Sequence, residues 1–218
     1  MNIDFSFYLT YIPILAQGAL MTIALTIMAV FFGTILGLIA ALSKISRNKV
    51  LNGLASFYTW VIRGTPLLLQ LWLVYYGLPQ IGITLTPFVA ATVSMSICGG
   101  AYIAEILRAG IQSIDKGQME AARSLGMTYL QAMRRIILPQ AYRRLIPPMG
   151  NEIIALMKDS SLVSTVALVE LLRTARQIDS ATLRSLEIYI AAGLFYLAMT
   201  TVLTVVFDRA EQKLAVYE

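Results

Sequence analysis

The chain contains no histidine and only one cysteine in 218 residues. Without histidine there are no histidine-ligated metal sites and no nucleophile–histidine triads. The lone Cys98 cannot form an internal disulfide, so it leaves the redox compartment open. Charge is also scarce. Asp, Glu, Lys and Arg make up 13% of the residues, against about 25% in an average soluble domain. The phosphate-loop pattern G-x-x-x-x-G-K-[ST] does not occur, so any ATP chemistry must belong to another chain. No catalytic residue, metal ligand or bound cofactor is expected here.

Apolar residues are abundant. They form 58% of the chain, and the mean hydropathy is +0.72. A spanning helix needs about 20 apolar residues. The fold class expected is therefore all-α: one polytopic membrane domain over residues 1–218, with about five transmembrane helices. The net charge of +5 does not point to nucleic acid, because the basic residues fall between apolar segments, where they set orientation. The N-terminus lacks a basic region and the first apolar run is too long for a leader, so no cleavable signal peptide is expected.

Spans are expected at about 12–42, 56–78, 87–107, 145–158 and 188–207. Lys44, Arg47 and Lys49 follow the first span and mark its cytoplasmic end. The N-terminus, with Asp4 as its only charge, is then outside and the C-terminus inside. Arg63-Gly64-Thr65-Pro66 interrupts the second span. Thr65 as a cap and Pro66 at the first position would restart a helix and leave the amides of Leu67 and Leu68 free. The third span is rich in small residues, which permit close helix approach in lipid. Glu105 and Arg108 are placed to pair near its end. The run 160–172 is apolar but short, and reads as re-entrant or interfacial.

Residues 108–144 form a basic, cytoplasmic loop. Asp115 with Gln118, and Thr128 with Gln131, have capping-box spacing. Gly126 stands where a glycine ends a helix, and Pro139 discourages continuation of the next. Two short helices joined at Gly126-Met127 are expected. Physical chemistry alone leaves them open to two uses: an amphipathic anchor on headgroups, or a docking surface.

Glu120-Ala121-Ala122, three residues, Gly126, nine residues, then Ile136-x-Leu138-Pro139 resembles the EAA motif of ATP-binding-cassette importer permeases. "RGTPLLLQLWLVYYGLP", "AYIAEILRAGIQSIDKGQMEAARSLG", "LPQAYRRLIPPMGNEI" and "KDSSL" are similar to the polar amino acid branch, the histidine, glutamine, arginine and opine group. The resemblance covers nearly the whole chain. It implies a type I importer fold in a bacterial plasma (inner) membrane, with a second permease copy or a paralogue as partner. A separate ATPase subunit would hold ATP and Mg²⁺, and an extracytoplasmic binding protein would deliver the amino acid. By the same likeness the first short helix is the coupling helix. Glu120, Ala121, Ala122 and Gly126 carry over directly, while Arg123 and Ser124 occupy variable motif positions. An ion-coupled secondary transporter is the alternative class, and its short inner helices would have no partner groove.

Intramembrane carboxylates are costly and therefore functional candidates. Glu152 falls near the bilayer midplane if Arg143 and Arg144 mark the interface. Asp159, seven residues on, shares its helix face, with Asn151 beside Glu152. Two carboxylates on one face suit a basic amino acid such as arginine, lysine or histidine; glutamine or another polar amino acid is the alternative. Leu67 and Leu71 share a face and could line the pocket, as could Ser94 and Cys98. Each also has a plainer use. Glu152 could pair with Arg63, Asp159 could pair with Lys158 or cap the next segment, and Ser94 and Cys98 could serve close packing.

Overall fold

The computed structural model describes residues 5–215; Asp4, and with it that mark of an external N-terminus, lies outside them. The described residues form helices and turns with no strand. Helix α1, Phe5–Ile45, contains the expected first span and ends at Lys44. Helix α2, Lys49–Arg63, starts at Asn48, whose side chain accepts from the amides of Val50 and Leu51 at 2.9 and 3.3 Å. This cap satisfies donors that the first turn leaves unpaired.

The break at Gly64 is present, but its chemistry differs from the expectation. Pro66 sits at the N-cap of α3, Leu67–Trp72, not at the first helical position. Thr65 does not cap α3. Its hydroxyl donates back to the carbonyl of Val61 at 3.0 Å, closing α2. The Gln70 side-chain amide then donates to Ile62 O at 2.8 Å and to Thr65 O at 3.1 Å. One side chain thus binds carbonyls at and just beyond the end of α2. Helix α3 continues through a π turn, Leu73–Gly77, and a 3-10 turn, Leu78–Ile81.

Helix α4, Pro87–Gln112, is the most deeply packed of the long helices. It lies along α1 because both present glycine. A Cβ on Gly100 would come within 3.1 Å of Gly33 O and 3.0 Å of Leu36 Cβ. Only small residues allow that separation in lipid, where packing and not water drives association.

Helix α5, Lys116–Ser124, and helix α6, Tyr129–Ala132, are the two expected short helices. Pro139, however, does not stop the second. A π turn, Met133–Ile137, follows α6 and leads directly into α7, Leu138–Asp159. The amide of Leu138 reaches Met133 O, five residues back. Pro139 lies in the first turn of α7, where its missing amide costs no helical bond. The π turn shifts the hydrogen-bond register just before it. Helix α7 therefore begins before the expected fourth span, 145–158.

Within the apolar run 160–172, a 3-10 segment, Ser160–Val166, leads to α8, Leu171–Thr182. Helix α9, Ser185–Ala215, contains the expected last span. Among the described residues three helices are long and apolar enough to cross a membrane: 7–45, 87–112 and 185–213. The main core gathers Leu25, Leu67, Leu71, Met95, Leu156 and Val163 from five segments.

Candidate functional site

Two sites follow from this arrangement, one carrying carboxylates and one carrying the docking unit. The carboxylates stand on α7. Glu152 is half-buried, while Asn151 and Asp159 are exposed. Glu152 lies within electrostatic reach of Asp159 and of Arg63 on α2. Among the described residues neither carboxylate forms an ion pair, unlike Glu105, which pairs with Lys44 and Arg108. Asp159 stands before the 3-10 segment, yet its side chain makes no capping bond. Both groups are thus left with acceptor capacity for a ligand.

The other expected pocket residues sit deeper. Leu67, Leu71 and Cys98 are buried at 8%, 1% and 6% exposure and belong to the main core. The Ser94 hydroxyl donates to Ala90 O at 2.8 Å and is enclosed within α4. They back the carboxylate face: Cys98 is in electrostatic reach of both Glu152 and Asp159, and Leu156, between them in sequence, packs in the same cluster. Cys98 and the two acids are therefore brought together, while Leu67 and Leu71 lie in the packing layer behind.

The docking unit is built by caps. The Asp115 carboxylate accepts from Gly117 N at 2.6 Å and starts α5. The reciprocal bond expected from Gln118 is replaced: its side-chain oxygen accepts from Gln140 at 3.4 Å. The Thr128–Gln131 box is complete, at 2.8 and 3.3 Å. Between the two helices Gly126 takes φ +83°. Its amide donates to Arg123 O at 3.0 Å, and Met127 N donates to Ala122 O at 3.2 Å. This pair of bonds is a Schellman closure, which favours glycine at the left-handed residue.

Ala122 is buried against the unit's own core, while Glu120, Ala121, Arg123, Ser124 and Gly126 face outward. Leu125 and Leu130 are 84% and 73% exposed beside them. Underneath, Ile114, Ile137 and Ala141 pack with Met119 and Met133, so α5 is seated on the start of α7. The result is a small knob with an apolar crest and basic flanks.

Three features lay outside the sequence reading. Lys44 joins Arg108 on Glu105, so that carboxylate is clasped from α1 and from within α4. Gln70 stitches the α2–α3 break. Glu170 is a fully buried carboxylate. Its oxygens accept from Leu172 N at 2.8 Å and Arg173 N at 2.6 Å, starting α8, and from the Tyr196 hydroxyl of α9 at 3.0 Å. Its signal was available: a single acid inside the apolar run 160–172, three residues before Arg173.

Comparison with known proteins agrees with this architecture. The profile of the family described as binding-protein-dependent transport system inner membrane component matches residues 33–216. The chain is 43% identical over 215 residues to the arginine transport system permease protein ArtQ of Bacillus subtilis (strain 168), covering 98% of each. It is 44% identical over 206 residues to the L-cystine transport system permease protein TcyB of the same organism, covering 94% of this chain and 88% of that one. It is 37% identical over 218 residues to the glutamine transport system permease protein GlnP of Escherichia coli (strain K12), covering 99% and 100%. A crystal structure of an amino acid ABC transporter with histidines superposes with a TM-score of 0.92 at 44% identity, covering 98% of this chain and 100% of that one. The chain therefore belongs to the family of binding-protein-dependent transport system inner membrane components, as a membrane permease subunit and not an enzyme.

Proposed function

We propose that this chain is the permease subunit of an ATP-driven importer for polar amino acids with a basic side chain, working by alternating access. The observation that carries the substrate class is the carboxylate face of α7. Glu152 and Asp159 lie within electrostatic reach of each other, and neither is ion-paired among the described residues. Holding two unpaired acids at membrane depth is costly unless a cation visits them. The cationic side chain of arginine, lysine or histidine supplies that charge. Relatives named for arginine, cystine and glutamine lie at 37 to 44% identity. A neutral polar amino acid is the second reading, favoured by the nearby Arg63, which offsets part of the acidic charge.

On this reading α1, α2 with α3, α4, α7 and α9 are the five spans. The N-terminus is outside and residues 108–144 are cytoplasmic. The knob of α5 and Gly126 docks into a groove on a separate ATPase subunit that holds ATP and Mg²⁺. Closure of the ATPase dimer moves the knob, and the motion passes through Ile114, Ile137 and Ala141 to α7. A second permease, identical or paralogous, completes the membrane unit. An extracytoplasmic binding protein loads it.

The test is substrate-stimulated ATP hydrolysis by the reconstituted complex, scanned over all amino acids. Strongest stimulation by arginine, lysine or histidine supports the reading. Strongest stimulation by glutamine transfers it to the neutral class, and hydrolysis insensitive to every amino acid overturns it.

A further inference from the structure

A second polar site lies away from Glu152. A cavity of about 400 Å³ opens between α1, α2 and α4, lined by Lys44, Ser56, Thr59, Trp60, Arg63 and Glu105. A larger cavity, about 850 Å³ between α1, α7 and α9, is lined by aliphatic, methionine, threonine and phenylalanine side chains without a charge. It has no charged side chain with which to hold an amino acid. The smaller cavity differs in kind, since it brings two cations and one acid to a single opening.

These charges are unequally occupied. Glu105 is clasped by Lys44 and by Arg108, whose Nε lies at 2.9 Å. Lys44 also donates to the Thr59 hydroxyl at 2.8 Å. Arg63 makes no hydrogen bond or ion pair among the described residues; its guanidinium lies over the ring of Tyr102, 5.2 Å from the centroid. Stacking leaves its N–H donors, which lie in the guanidinium plane, free to form a fork. A planar carboxylate is the group that such a fork binds best. Counting Lys44 and Arg63 against Glu105, the opening carries an excess of one positive charge.

We infer that this cavity is a second amino acid subsite, on the exit side of the Glu152 site, in which Arg63 receives the substrate's α-carboxylate and Lys44 supports it. It rests on the topology proposed above, which places Lys44 and Glu105 toward the cytoplasm. Arg63 is the link, being in electrostatic reach of Glu152 on one side and part of the cavity wall on the other. The two sites then read opposite ends of the same molecule. The acids on α7 hold the side chain, and the cations on α1 and α2 hold the carboxylate common to every amino acid. The excess positive charge also repels a basic side chain, so the subsite favours onward release. A phosphate headgroup fits less well, because the Glu105 carboxylate stands in the same wall.

The experiment uses Ser56→Cys in the full complex with its ATPase, in membrane vesicles. Cys98 is buried, so the unsubstituted chain gives the background labelling. An impermeant maleimide is applied to inside-out vesicles with arginine, glutamine or agmatine, the carboxylate-free amine of arginine. The expected result is that arginine and glutamine slow labelling severalfold and agmatine does not. Arg63→Gln abolishes the protection and Arg63→Lys keeps part of it. Equal protection by agmatine, or protection that survives Arg63→Gln, overturns the inference. So does slowing that follows added phosphatidylglycerol and not the amino acids, or a thiol that no reagent reaches from either face. Labelling from right-side-out vesicles alone would refute the topology instead, so the two failures are told apart.

Discussion

The hydroxyl of Tyr196 on α9 donates at 3.0 Å to the same Glu170 carboxylate that accepts the amides of Leu172 and Arg173 at the start of α8. A third contact joins α1: Leu171 N donates to the Thr22 hydroxyl at 3.3 Å. The buried acid thus ties the start of α8 to α9, and the neighbouring amide ties it to α1. Glu170→Ala removes a helix cap, worth about 0.5–2 kcal/mol. It also removes the acceptor of the half-buried Tyr196 hydroxyl, at a cost of up to about 1–3 kcal/mol. Tyr196→Phe alone is expected to cost less. Because both changes break one bond, the double variant should fall short of their sum in thermal unfolding of the purified complex. Strict additivity would show that the two side chains act independently.

Glu152→Gln keeps the size of the side chain and removes its charge. Uptake of arginine or lysine into vesicles should fall steeply, with the permease–ATPase complex assembling as before. Asp159→Asn should have a smaller effect, since Asp159 is exposed while Glu152 is half-buried against the core. Wild-type uptake by Glu152→Gln would remove this residue from the substrate site.

Gly126 has no neighbour within 4 Å of an added Cβ, so any penalty there comes from its φ of +83° alone. Gly126→Val forces a β-branched residue into the left-handed region, at a cost of order 1–3 kcal/mol. Gly126→Asn tolerates that region better. The valine variant should lose ATPase co-purification or substrate-stimulated hydrolysis, and the asparagine variant should retain most of both. Equal activity in the two would show that the left-handed turn is not needed for coupling.

The long apolar helices and the Gly126 turn were legible because each follows from a local rule: length of an apolar run, or the conformation only glycine accepts readily. Pro139 misled for a related reason. Its local preference is to end a helix, yet the π turn before it moves the hydrogen-bond register and leaves it in a first turn. Thr65 and Gln70 show another limit. Both can bind carbonyls behind them or amides ahead of them, and only the fold of α3 beside α2 decides which. Lys44 and Glu105 are 61 residues apart, so their pairing needed the α1–α4 packing. Glu170 could have been flagged by its rarity in an apolar run, but not its partner on α9.

From Tyr129 to Asp159 the backbone stays helical, through the π turn and past Pro147 and Pro148 inside α7. Glu152 therefore keeps a fixed azimuth relative to the knob about 35 Å away along the axis. A residue deleted from the π turn would rotate that carboxylate by about 100° about the helix axis, with its immediate sequence neighbours untouched. The bearing of the acid is thus set as much by five residues at the far end of the shaft as by the residues around it.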